Sequence, residues 1–136
     1  MVTFDFHTKI YYKDIDQMGV VYYARYLEYF EQARTELLND IGLIVTEIED
    51  AGFYMPVVEA VANYKLGARF EDEIIIRTMI KKVPQARMTI DYEVYRKKDN
   101  QLLVTGHTIH GFTDKENGQP KRPPKFLLNR LSAAIN

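Results

Sequence analysis

The chain has 136 residues, with 18 Lys and Arg against 19 Asp and Glu for a formal net charge of −1. That length suits one domain, residues 1–136, and the balanced charge shows no basic stripe of the kind that binds nucleic acid. There is no cysteine, which excludes disulfides, thiolate metal sites and cysteine nucleophiles, and no apolar run reaches the roughly 18 residues of a membrane span.

The N-terminal stretch MVTFDFHTK has neither the basic start nor the apolar core of a secretory signal. The expected compartment is the cytoplasm. In TFDFHTKIYY, alternation puts Phe4, Phe6, Ile10 and Tyr12 on one face of a half-buried strand. From about Tyr22 the period changes. Tyr26, Phe30, Ala33, Leu37 and Ile41 fall on one face of an amphipathic helix of roughly five turns, with Gly42 as its stop.

After a mixed segment, YMPVVEAVANYKL reads as a strand. EDEIIIRTMIKKV follows with Ile74, Ile76 and Ile80 on one parity, and ARMTIDYEVYRKKDN with Met88, Ile90, Tyr92 and Val94 inward. QLLVTGHTIHGFT is the next strand, DKENGQPKRPPK a polar loop, and FLLNRLSAAIN a short closing helix. Short polar turns between the strands imply antiparallel pairing. One helix covers only one face of such a sheet. Ile75, Met79, Leu102, Val104 and Phe112 read as outward apolar residues, so a homo-oligomer is expected.

Few groups are left to do chemistry. The only serine, Ser132, lies four residues from the end of the chain, a poor place for a nucleophile. His107 and His110 sit three apart on a strand and therefore on opposite faces. They read as surface or interface residues, and no metal site is expected.

The richest stretch is YYKDIDQMGVVYYARYLEYFEQAR, from Tyr11. Asp14, Asp16 and Gly19 could form only a turn that caps a helix. Two features favour more. The turn feeds the start of the one long helix, where unpaired N–H groups can polarise a carbonyl. It also sets a carboxylate beside that place, and with serine and cysteine excluded a carboxylate is the main remaining base or nucleophile. Glu31 and Arg34 have the spacing of an ordinary helical ion pair.

This stretch resembles the signature of the hotdog-fold acyl-CoA thioesterases, the 4-hydroxybenzoyl-CoA thioesterase and YbgC-like family. The matching residues are Asp14, Asp16, Gly19, Val20, Val21, Tyr22, Tyr26, Glu31, Ala33 and Arg34, and YKLGARFEDEIIIRT resembles the family's second block. The resemblance implies an α+β hotdog fold, a curved antiparallel sheet of about five strands wrapped around one long helix. It implies dimers joined edge to edge, often paired again as homotetramers. It implies an acyl-CoA substrate, with coenzyme A part of the substrate and no separate cofactor.

By the same resemblance Asp16 is the catalytic carboxylate, as nucleophile or as general base, and the Tyr23 backbone N–H polarises the thioester carbonyl. Many YbgC-like members carry histidine where this chain has Tyr23, and a backbone donor tolerates either. Gly19 is expected to keep the turn clear of the acyl group, and Val20, Tyr22 and Tyr26 to shape the substrate pocket. Two basic groups sit at strand ends, Lys81, Lys82 and Arg87 around KKVPQAR and Lys121 with Arg122 in GQPKRPP. Solvated surface explains both equally well. The resemblance favours Lys82 and Arg87 as contacts to the coenzyme A phosphates. A non-catalytic acyl-CoA-binding hotdog module is the alternative reading.

Overall fold

A computed structural model describes residues 1–135. Strand β1 (Val2–Lys9) leads through a single turn of 3-10 helix, Tyr12–Asp14, to helix α1 (Arg25–Asp40). Helix α2 (Val45–Asp50) and the short strand β2 (Phe53–Tyr54) follow. Then come β3 (Val57–Tyr64), β4 (Glu73–Ile80), β5 (Met88–Arg96), β6 (Gln101–His110), β7 (Thr113–Asp114) and α3 (Lys125–Ile135). Five strands form one antiparallel sheet in the order β1-β4-β5-β6-β3, while β2 and β7 pair separately. This is the expected α+β hotdog arrangement, with α1 lying on the inner face of the sheet.

Alternation decides which face is core. Ile74, Ile76, Thr78 and Ile80 of β4 and Met88, Ile90, Tyr92 and Val94 of β5 are all buried. Against them α1 turns Tyr26, Tyr29, Phe30, Ala33, Leu37 and Leu38. Phe30 stacks on Tyr92 with ring centroids 4.2 Å apart and planes 6° from parallel. Close seating of α1 depends on Gly106. A Cβ there would come within 2.4 Å of the Val61 carbonyl oxygen and 2.8 Å of the Phe30 ring.

Several expectations need correction. Helix α1 begins at Arg25 and not near Tyr22. Its 16 residues make about four and a half turns. Tyr22 and Tyr23 belong to the turn before it. Tyr12 leaves the face of β1 for the 3-10 turn and is 73% exposed. Val104, read as outward, is fully buried. The cause is a bulge: Val94 pairs with Val104 but Tyr95 with Leu102, so Leu103 is an extra residue and parity reverses after it. Phe112 is also buried, beyond the end of β6, where the Lys121 N–H returns to its carbonyl. Met79 does face outward yet is only 8% exposed. Ile75 and Leu102 are left as the half-exposed members of that set.

The histidines do point to opposite faces, but only His107 is near the surface, 2.8 Å from Glu59. His110 is buried. Among the described residues no helix is long and apolar enough to cross a membrane.

Candidate active site

The turn before α1 is held by backbone bonds that leave particular groups free. Asp16 N–H donates to the Val20 carbonyl at 2.8 Å, and Gly19 N–H returns to the Asp16 carbonyl at 3.0 Å. Gly19 has φ 79°, the left-handed region that side chains avoid. A Cβ at Gly19 would meet the Arg69 guanidinium at 3.6 Å, so the glycine serves the turn and lies outside the cleft described below. Val21 N–H bonds the Ala68 carbonyl at 2.9 Å, which ties the turn to the segment between β3 and β4.

The two aspartates have different surroundings. Asp14 is 2% exposed. It accepts from the Tyr11 N–H at 2.9 Å and from Lys13 Nζ at 2.8 Å. Burial pushes its pKa up, but the Lys13 ammonium and the Tyr11 amide outweigh it and hold the carboxyl below the usual range. Its own carbonyl accepts the Tyr22 N–H at 2.8 Å, so Asp14 orients the turn from both ends. The Tyr29 hydroxyl faces this carboxylate without reaching hydrogen-bond geometry. Burial first, and then the Asp14 charge, raise the Tyr29 pKa.

Asp16 is the accessible one. Its Oδ1 accepts from the Met18 N–H at 2.8 Å and the Val20 N–H at 3.4 Å. Oδ2 has no partner among the described residues. The carboxylate lines a cleft of about 240 Å³ with Val20, Tyr23, Tyr26, Tyr64 and Gly67. At the helix end of this cleft the Tyr22 carbonyl accepts from Arg25 and the Tyr23 carbonyl from Tyr26. The N–H groups of Tyr23 and Ala24 donate to no acceptor among the described residues. Two successive free amides at a helix start make an anion-attracting end.

Tyr26 is both cleft wall and core: it is 2% exposed, and its hydroxyl accepts the Ala68 N–H at 3.4 Å. Tyr22 tilts against Tyr23 with centroids 4.6 Å apart and planes 47° from parallel, and does not line the cleft. Tyr64, Lys65, Leu66 and Gly67, which complete the wall, had no assigned role from sequence. Their signal was present in YKLGARF, the stretch that resembles the family's second block.

Lys82 and Arg87 lie elsewhere. They flank the β4–β5 turn, and Arg87 also lines a groove with Lys121 and Arg122 beside Pro56 and Val58. That brings the two basic groups of the sequence together. They stand, however, at the opposite end of the sheet from Asp16. The cleft sits by the β3 end at Tyr64, and Arg87 by the β3 start at Val57. A strand of this length spans about 23 Å at roughly 3.3 Å per residue. Nor do Glu31 and Arg34 pair: no carboxylate lies within ion-pairing distance of Arg34 among the described residues. No cluster of three or more His, Asp and Glu side chains among the described residues could hold a metal.

Comparison with known proteins agrees with this layout. Residues 11–131 match the family described as the Thioesterase-like superfamily. The acyl-CoA thioesterase YbgC of Haemophilus influenzae is 32% identical over 107 residues, covering 78% of this chain and 76% of that protein. A 1,4-dihydroxy-2-naphthoyl-CoA hydrolase of Synechocystis is 29% identical over 81% of this chain and 80% of its own length. The solved DHNA-CoA thioesterase of Staphylococcus aureus superposes with a TM-score of 0.88 at 24% identity, covering 98% of this chain and 93% of the other. With a family match that includes the Asp14–Asp16 turn and ends within α3, the chain belongs to the thioesterase-like superfamily of the hotdog fold.

Proposed function

We propose that this protein hydrolyses acyl-CoA thioesters, with Asp16 as its reacting carboxylate. The observation that carries the reading is the free Asp16 Oδ2 in one cleft with the unpaired amide at the start of α1. A thioester carbonyl directed at the Tyr23 and Ala24 amides would gain stabilisation as its oxygen takes up charge. Asp16 then supplies electrons to the carbonyl carbon. Attack by Oδ2 gives a mixed anhydride that water opens. Removal of a proton from water by the same oxygen gives the acid directly. Either route releases coenzyme A as thiol and the acyl group as a carboxylic acid. The absence of cysteine suits a reducing compartment, and we place the reaction in the cytoplasm.

The coenzyme A phosphates need cations, and Lys82 and Arg87 are at the wrong end of their own chain. Strand β3 supplies a route to them. It is the free edge of the sheet, with Val57, Val58 and Tyr64 each more than 40% exposed. Antiparallel pairing of β3 with a second copy sets the partner's start of β3 beside this chain's Tyr64. The partner's basic groove then borders this chain's Asp16 cleft. We therefore read the working unit as a dimer, or a dimer of dimers, with each site shared between two chains.

Asp16→Asn tests the reading. It keeps the shape of the turn, since the amide oxygen still accepts from Met18, but removes the base or nucleophile. Turnover should fall at least about a hundredfold with little change in KM. Near-parental turnover by Asp16→Asn would take Asp16 out of the chemistry, whereas binding of acyl-CoA with no turnover by the parent would leave the rival reading, a binding module that uses the cleft without chemistry.

A further inference from the structure

Arg34 belongs to the N-terminal signature, yet nothing in the proposed reaction uses it. Its side chain lines a second pocket of about 150 Å³, between α1, α2, the start of β5 and the end of β6. The residue is half-buried and has no carboxylate partner among the described residues. A cation taken partly out of water without a counter-charge is costly and tends to find an anion.

The neighbouring polar groups are already engaged with one another. Tyr92 and Thr108 hydroxyls are 2.7 Å apart, Thr108 Oγ1 is 2.9 Å from His110 Nε2, and His110 Nδ1 is 3.5 Å from the Met55 carbonyl. Burial, and then the Arg34 charge, lower the His110 pKa to about 4, so the imidazole is neutral at pH 7. With its proton on Nδ1 toward Met55, His110 accepts from Thr108, which accepts from Tyr92. The chain is self-satisfied. The Arg34 guanidinium lies against the Tyr92 hydroxyl without a full hydrogen bond, and its remaining donors meet no acceptor among the described residues.

The rest of the wall is largely apolar, including Leu38, Ile48, Phe53, Met55 and Met88. Apolar pockets of roughly 150 Å³ take benzene. Glu31 and Glu49 also line the pocket, so a ligand with a second negative charge would be repelled. We propose that this pocket binds a small monocarboxylate whose apolar body is about the size of a benzene ring, with the carboxylate on Arg34 and the body against Met55 and Met88. Thioester hydrolysis releases acids of this class, so an occupied pocket would register product. That last link rests on the proposed function; the binding does not.

The test needs no turnover. The methionine methyls of the full chain are labelled with carbon-13 and benzoate is titrated in, with benzyl alcohol and benzamidine as the neutral and cationic counterparts. Met55 and Met88 line this pocket, whereas Met18 lies in the Asp16 turn. The proposal expects saturable shifts at Met55 and Met88 with Met18 still, and benzyl alcohol weaker by at least about tenfold. Arg34→Gln should abolish the preference for benzoate over benzyl alcohol. Thr35→Phe, which fills the mouth and leaves Arg34 in place, should weaken all binding should Arg34→Gln fail to fold. Absence of shifts at millimolar benzoate, shifts confined to Met18, equal or tighter binding of either counterpart, or benzoate binding unchanged in Thr35→Phe would each overturn it.

Discussion

Tyr64 donates its hydroxyl to the Tyr23 carbonyl at 3.2 Å, tying the last residue of β3 to the turn that starts α1. The same ring packs edge-on to Tyr23 at 6.3 Å and tilts against Tyr26 at 5.7 Å. The carbonyl it holds belongs to the peptide whose N–H is that of Ala24. Tyr64 thereby sets the direction of one of the two free amides.

Tyr64→Phe keeps the aromatic packing and loses only this bond. One neutral hydrogen bond is worth about 1 kcal/mol, or roughly fivefold in a rate that depends on it. The expected result is a fall in kcat of about that size, with KM and thermal unfolding near those of the parent. Equal kcat in the two proteins would show that the peptide is held without Tyr64.

Gly106 is the point where α1 meets the sheet. Gly106→Ala places a methyl group against the Val61 carbonyl and the Phe30 ring, both closer than van der Waals contact allows. Overpacking of this kind costs about 1–3 kcal/mol. Urea unfolding should show a lower midpoint at an unchanged slope, and an unshifted midpoint would mean that α1 can lift off the sheet without cost.

Asp14 links stability to acid. Its folded pKa is lowered, so the stability it contributes is fully present above the unfolded carboxylate pKa and is lost as pH falls through the folded value. Asp14→Asn should be less stable than the parent at neutral pH, and the gap should close on acidification. The measurement is thermal unfolding of both proteins from neutral pH down to the carboxylate range. A gap that stays constant with pH would assign the loss to packing and not to charge.

The proposed sharing of the site between two chains makes a prediction about hybrids. Lys82→Ala combined with Arg87→Ala should raise KM for acyl-CoA, leave kcat nearly unchanged, and have no effect on an acyl-pantetheine substrate that lacks the nucleotide. Mixing that double variant with Asp16→Asn chains should restore sites of parental KM. In the hybrid, one Asp16 faces intact Lys82 and Arg87 from the other chain. If mixing after dissociation recovers nothing, the cations do not act across the β3 edge.

What sequence alone could determine was whatever depends on neighbours along the chain. The four-three-four spacing of Tyr26, Phe30, Ala33 and Leu37 marks the buried stripe of α1, because a helix brings those positions to one side whatever it packs on. The alternation of Met88, Ile90, Tyr92 and Val94 marks the inner face of β5 for the same local reason. The signature around Asp14, Asp16 and Gly19 marked the candidate site, and the turn it forms is likewise local. Tertiary structure decided the rest. The bulge at Leu103 is a property of how β6 pairs with β5, and it buries Val104 where an unbroken strand would have exposed it. Arg34 has a glutamate at ion-pair spacing, yet it turns toward Tyr92 and His110, residues far along the chain that reach it only through the sheet. Lys82 and Arg87 have the right chemistry for phosphate, but the strand between them and Asp16 is rigid and extended. Its length separates in one chain what an antiparallel edge to a second copy would bring together.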